Sequence, residues 1–202
     1  MMIKSVIFDF GQVMVRFDPA YMVGRYVSDP ADAALLAQVL FDRLYWDRLD
    51  DGTMSDAQVV EACRTRIPER LWTVAEQIHY NWIYNIPEIG GMYDLVTELK
   101  SRGVRLFLLS NISKYFAAHA HEIPCLAPFE QCFYSAVCGK IKPEPAAFLN
   151  VCSTCGIAPS ETLFVDDNQK NVLGAEACGL QSYLFDGNAA ALRRYLQELG
   201  VL

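Results

Sequence analysis

Short, nearly unbroken apolar runs recur along the 202-residue chain, and those after the first are separated by helical patterns, an alternation that leaves few folds open. The runs are Ile3 to Phe8, Val104 to Leu109, Phe133 to Val137, Thr162 to Val165 and Gln181 to Phe185. A strand with one face in water alternates apolar and polar residues, whereas a continuously apolar strand is covered on both faces. Between the later runs, helical periodicity occupies Met92 to Arg102, Pro145 to Cys155 and Asn171 to Cys178. Glycine follows each of these at 103, 156 and 179, where a left-handed cap ends a helix. Strands alternating with helices predict an α/β layered fold, a parallel sheet with right-handed crossovers.

Residues 17–86 break the alternation, with no convincing strand in about seventy residues. Asp18-Pro19 and Asp29-Pro30 are cap-then-proline helix starts, Ser55 to Gln58 is a capping box, and Leu71 to Trp82 is periodically apolar. The segment reads as a helical insert between the first and second strands. The expected division is therefore a core of residues 1–16 and 87–202 with an inserted subdomain of residues 17–86.

Composition narrows the partners. Seventeen Lys and Arg against twenty-four Asp and Glu give a net charge of −7, without a basic run. A protein that tracks nucleic acid carries a basic stripe, so nucleic acid is not expected as a partner. No run approaches the ~18 apolar residues of a membrane span, and Met1 to Gly11 lacks a charged leader and a cleavage site. A cytoplasmic protein without membrane contact is expected. Seven cysteines, an odd number scattered through apolar segments, fit reduced thiols without disulfides. No pattern speaks to oligomeric state.

Open α/β sheets bind ligands beyond the carboxyl ends of their strands. The first run ends in Asp9, the second in Ser110-Asn111, and the fourth in Asp166-Asp167. Three carboxylates near one point repel one another unless a cation joins them, and hard oxygen donors suit Mg²⁺. Taken singly, each of these residues also fits a helix N-cap. Lys142, before a proline-rich helix start after the third run, adds positive charge to this acidic mouth.

The ordered set of Asp9 in FDFGQV, Ser110-Asn111, Lys142 in KPEPAAF and Asp166-Asp167 in FVDDNQKNVLGA resembles the haloacid dehalogenase superfamily of hydrolases over nearly the whole chain. It is most similar to the bacterial sugar-phosphate (glucose-1-phosphate type) phosphatases and the N-terminal phosphatase domain of soluble epoxide hydrolases. The resemblance implies a Rossmann-like core with an all-helical cap, which residues 17–86 supply. It implies a phosphatase for small phosphorylated metabolites, with Asp9 attacking phosphorus to form an aspartyl-phosphate. It also implies Mg²⁺ held by Asp9, the Gly11 carbonyl, Asp166 and Asp167, and phosphoryl oxygens held by Ser110, Asn111 and Lys142. Asn171 is placed to brace the Asp pair or to lie on the surface.

One position departs from the pattern. The family's second Asp, two residues after the nucleophile, protonates the leaving group; here that position is Gly11, with Gln12 where the family usually has Gly. General acid-base help is typically worth ~10²–10⁴-fold. Asp18 is a candidate substitute, though Asp18-Pro19 fits a helix N-cap better. Dehalogenases of the superfamily also lack the second Asp, because a departing halide needs no proton, but they do not need Mg²⁺. The alternatives to the phosphatase are therefore a haloacid dehalogenase-type hydrolase and a catalytically weakened binding or scaffold protein.

Three further features have packing readings. Cys152 and Cys155 form a CxxC inside a helical pattern, with no second pair and no nearby His. His79, His119 and His121 have no identifiable catalytic partner. Tyr45 and Trp46, in LYWDRLDDG, are either substrate contacts or core residues of the insert.

Overall fold

The computed structural model describes residues 2–202. Met1, the first residue of the expected 1–16 segment, lies outside them. The strands are β1 (Ser5–Phe8), β2 (Arg105–Ser110), β3 (Gln131–Tyr134), β4 (Thr162–Asp166) and β5 (Gln181–Leu184). They form one parallel sheet in the order β3-β2-β1-β4-β5. Between β1 and β2 run α1 (Pro19–Gly24), α2 (Pro30–Leu40), α3 (Arg43–Asp50), α4 (Asp56–Arg64), α5 (Trp72–Asn81) and α6 (Met92–Ser101). The remaining helices are α7 (Lys114–His119), α8 (Ser135–Cys138), α9 (Pro145–Cys155), α10 (Gln169–Ala177) and α11 (Ala189–Glu198).

Successive strand residues point to opposite faces, and the core divides accordingly. Phe8, Leu106, Leu108, Leu163 and Val165 pack on one face with Leu95 and Leu99 of α6 and Leu192 and Leu196 of α11. Ile7, Phe107, Leu109 and Phe164 pack on the other with Phe148 and Val151 of α9 and Ala175 of α10. Helices on both faces of a parallel sheet make the expected α/β fold. A third apolar cluster, including Val23, Leu36, Leu40, Leu49, Val59 and Ile78, lies wholly within residues 19–81.

The helix starts form as their chemistry dictates. Asp18 accepts the Tyr21 amide at 3.1 Å and Asp29 the Ala31 and Asp32 amides, while Ser55 and Gln58 close a capping box. Gly103, Gly156 and Gly179 all have positive φ.

Two expectations need correction. The third run does not continue as a strand to Val137: β3 ends at Tyr134, and Ser135 turns into the short α8. The turn lets the buried Ser135 hydroxyl accept the Ile112 amide at 2.9 Å and donate to the Asp50 carbonyl, which a straight strand would forbid. Nor are all five strands covered on both faces. β1 and β4 are wholly buried, whereas β3 and β5 lie at the sheet edges and remain partly open.

A close approach ties α10 to the loop that carries Lys142. A Cβ at Gly174 would lie 2.6 Å from the Pro143 carbonyl oxygen and 3.1 Å from the Phe148 ring. In an open helix Gly→Ala gains about 1 kcal/mol. Here the overpacking, typically costing about 1–3 kcal/mol, outweighs that gain. Gly174→Ala is expected to lower Tm by up to about 8 °C, read by calorimetry, for a net loss of up to about 2 kcal/mol in a chain of this size. A raised Tm would show that the Pro143 loop yields freely.

Candidate active site

Strand order explains why the chemistry gathers at one place. The strand order reverses about β1, which lies between β2 and β4, and ligands bind at such a switch point. The register sets Phe8 beside Leu108 and Val165, so Asp9, Ser110 and Asp166 emerge together at the carboxyl edge. There they border a cavity of about 510 Å³ whose lining includes Asp9, Gly11, Ser110, Asn111, Lys142 and Asp167. The structure thus brings the predicted site residues together, with Asp166 buried behind the wall rather than exposed in it.

Lys142 organises the centre. Its ammonium lies 2.8 Å from Asp9 Oδ1 and 2.7 Å from Asp166 Oδ2, with all three side chains nearly sealed from solvent. Burial pulls the ammonium toward deprotonation, but the two carboxylates reverse this and leave its pKa above the ordinary lysine value. Asn111 fixes the lysine backbone by a reciprocal pair: its Nδ2 donates to the Lys142 carbonyl and its Oδ1 accepts the Lys142 amide, both at 2.9 Å.

Asp166 is held on every side. Besides Lys142, it accepts from the Asn168 amide at 2.8 Å and from Asn171 Nδ2 at 3.0 and 3.1 Å. Of the two places open to Asn171, the structure therefore shows the buried, bracing one. Helix capping falls to neighbours: Asn168 caps α10 and Ser113 caps α7, which frees Asp167 and Ser110 for the cavity.

The carboxylates suit a hard cation. Asp9, Asp166 and Asp167 each offer an oxygen within 4.8 Å of the others, a spacing that one ion of octahedral oxygen preference draws together. Burial pushes the Asp9 carboxyl up to about 6, Lys142 opposes this, and Asp166 adds to the rise. Burial, and then repulsion from Asp166, also raises Asp167. Carboxylates that resist ionisation together gain from a divalent ion. The donor set therefore fits Mg²⁺.

The loop after Asp9 carries the departure from the family pattern. Gln12 adopts φ +56°, a left-handed conformation that costs an L-residue about 1–2 kcal/mol. Its Nε2 donates to the Phe17 carbonyl at 3.0 Å, and its amide donates to Val15 at 2.7 Å. Asp18 caps α1 and does not line the cavity, so it fills its helical role rather than the catalytic one.

The other wall comes from the helices that follow β1. Phe17, Arg43, Trp46, Asp50 and Trp82 line it, and sequence reasoning singled out only Trp46 among them. Trp46 is both core and cavity wall, stacked on Phe41 and edge-on to Phe17 and Trp82. Tyr45 is core alone, covered by Arg66. Asp50 has a buried oxygen, Oδ1, without a hydrogen-bond partner, and burial pushes its carboxyl up to about 8. The acidic stretch ending LYWDRLDDG was its visible signal.

Residues with packing readings lie elsewhere. His79 is buried against Asp56 at 3.1 Å, Cys152 packs under the sheet, and all seven cysteines are free. Among the described residues, no helix is long and apolar enough to cross a membrane.

The whole chain has recognisable relatives. A family model described as haloacid dehalogenase-like hydrolase matches residues 3–179. The chain is 32% identical to a sesquiterpene phosphatase from Aspergillus oryzae over 98% of its own length and 97% of that protein's. It is 24% identical to a D-ribitol-5-phosphate phosphatase from Bacteroides thetaiotaomicron, with 100% and 98% covered. Against other curated relatives it spans only part of the partner, 46% of one and 34% of another. A solved haloacid dehalogenase family enzyme from Bacteroides thetaiotaomicron, in complex with magnesium and inorganic phosphate, shares the fold at a TM-score of 0.69, with 20% identity and 92% and 96% of the chains covered. The motifs and their convergence at the sheet's switch point agree with these likenesses, and the chain belongs to the haloacid dehalogenase-like hydrolases.

Proposed function

We propose that the chain is a Mg²⁺-dependent phosphatase of small phosphomonoesters, acting through an aspartyl-phosphate on Asp9. The observation that carries this reading is the Lys142 ammonium seated between Asp9 and Asp166, with Asp167 completing a three-carboxylate cluster. A dehalogenase displacing halide from carbon does not need Mg²⁺, and the Asp166-Asp167 pair makes more sense in a metal-dependent phosphatase.

Asp9, held ionised by Lys142, attacks phosphorus and displaces the ester oxygen; water then attacks the aspartyl-phosphate and releases inorganic phosphate. Ser110 Oγ, the Asn111 backbone amide and Lys142 hold the phosphoryl oxygens as their charge redistributes. Asp9, Asp167 and the Gly11 carbonyl hold Mg²⁺, and Asp166 does so directly or through water. Bound there, Mg²⁺ offsets the repulsion between an anionic nucleophile and an anionic ester. The helices of residues 17–86 act as the cap that chooses the alcohol. Sugar phosphates are the proposed substrate class, and because a sesquiterpene phosphatase is among the relatives an isoprenoid phosphate is tested beside them.

Removing the metal with EDTA is expected to abolish phosphate release from p-nitrophenyl phosphate, and Mg²⁺ is expected to restore it. A panel of sugar phosphates and one isoprenoid phosphate, read as kcat/KM, then ranks the alcohols. Metal-independent release of chloride from a 2-haloacid, with no phosphate from any ester, would overturn the phosphatase.

A further inference from the structure

The proposed phosphatase lacks the carboxyl that the usual family pattern has two residues after the nucleophile, because Gly11 has no side chain to give or take a proton. A leaving alkoxide is a poor group without a proton, so another donor must face the ester oxygen or turnover is confined to acidic alcohols. The cavity lining narrows the choice. It contains no histidine; Arg43 and Lys170 bring cations rather than a carboxyl, Lys142 is committed to Asp9 and Asp166, and Asp9 and Asp167 serve the nucleophile and the metal ion. The one remaining carboxyl is Asp50.

Its surroundings suit the task. Asp50 ends α3 and lines the same cavity as Asp9 and Lys142, so a carboxyl of the helical segment and the nucleophile border one space. Oδ1 is shielded from solvent and has no hydrogen-bond partner, so it is not consumed by structure. Burial and the nearby Asp47 and Asp9 charges raise the carboxyl, while Arg43 and Lys142 oppose them, and the group stays largely protonated at neutral pH.

The end of α3 is also anchored to the phosphate site. The Asp50 carbonyl accepts from Ser135 Oγ, and the same oxygen accepts from the Ile112 amide, next to Asn111. At Gly52, φ is +75° and an added Cβ would meet the Ala136 carbonyl oxygen at 3.2 Å, so the turn sits close on α8.

We propose that Asp50 is the general acid and base of this enzyme, supplied by the helical segment in place of the carboxyl missing at Gly11. This rests on the phosphatase reading. In the first half-reaction the Asp9 O–P bond forms, the P–O(ester) bond breaks and the Asp50 proton passes to the departing oxygen, leaving alcohol and an Asp50 carboxylate. In the second, that carboxylate takes a proton from the water that attacks phosphorus. The P–O(Asp9) bond breaks, and Asp9, inorganic phosphate and protonated Asp50 result.

The test compares leaving groups. With saturating Mg²⁺, Asp50→Asn is expected to lose ~10²–10⁴-fold in kcat/KM on alkyl phosphates and less than ~10-fold on p-nitrophenyl phosphate, whose phenolate leaves unaided. The alkaline fall of the parent's kcat/KM with pH is expected to vanish in the variant. An equal loss on both substrates, or an unchanged pH profile, would overturn the role. The parent alone gives a second measurement that does not depend on the variant folding. Its kcat/KM should vary little across aryl and alkyl phosphates, and a steep fall with leaving-group basicity would also overturn it. Failure here leaves phosphate release by the parent intact, whereas failure of the phosphatase reading removes release from every ester.

Discussion

Asp9→Asn is expected to reduce phosphate release by roughly 10⁴-fold or more, the scale on which deleting a covalent nucleophile acts. The amide keeps the size of the carboxyl and one oxygen to face Lys142, so the fold should survive. What is lost is the anion that attacks phosphorus. Steady-state release from p-nitrophenyl phosphate at saturating Mg²⁺ reads the loss, and calorimetry confirms that the variant is folded. A residual rate within tenfold of the parent would mean that water attacks the ester directly and that Asp9 only binds metal.

Lys142→Met is expected to cost both stability and turnover. The ammonium is buried and paired with Asp9 and Asp166, and removing one member of such a group leaves uncompensated buried charge, typically worth about 3–5 kcal/mol. In a chain of this size that lowers Tm by about 6–20 °C. The deficit has a sign in pH. Asp9, which burial already raises to about 6, loses the cation that opposed the rise. A carboxyl whose folded pKa lies above its unfolded value stabilises the fold when protonated and loses that contribution as pH climbs through the folded pKa. The Tm gap between parent and variant should therefore be widest near pH 8 and narrow toward pH 5. A gap that widens on acidification would show that Lys142 is not the counter-charge of Asp9. Turnover falls with it, by about 10²–10³-fold, because one charged hold on the phosphoryl oxygens is gone.

These two predictions use residues that could be read before any fold was known. Asp9, Ser110-Asn111 and Asp166-Asp167 stand at the ends of apolar runs, and in a parallel sheet the ends of neighbouring strands are neighbours. Glycines 103, 156 and 179 and the caps at Asp18, Asp29 and Ser55 were equally legible, because they act within a few residues of chain. The third run reads as strand past Tyr134 because Ser135 looks like any small strand residue, whereas the chain turns there. Its partners, Ile112 and Asp50, are 23 and 85 positions away.

Asp50 shows the same boundary at the site itself. In sequence it is one acidic residue among several in LYWDRLDDG, 39 positions from Gly11. Only the packing of α3 against the turn at Ser135 places it on the cavity wall, and burial, with the Asp47 and Asp9 charges, raises its carboxyl. Arg43, Trp82 and Phe17 reach the same wall from separate parts of the helical segment. Residues read alone locate the apolar strand runs, the caps and the motif residues at the strand ends, because each follows from local periodicity or from the edge of a strand. The tertiary structure alone decided which side chains close the cavity and which carboxyl keeps its proton, because desolvation and cross-chain contacts depend on neighbours that no local pattern names.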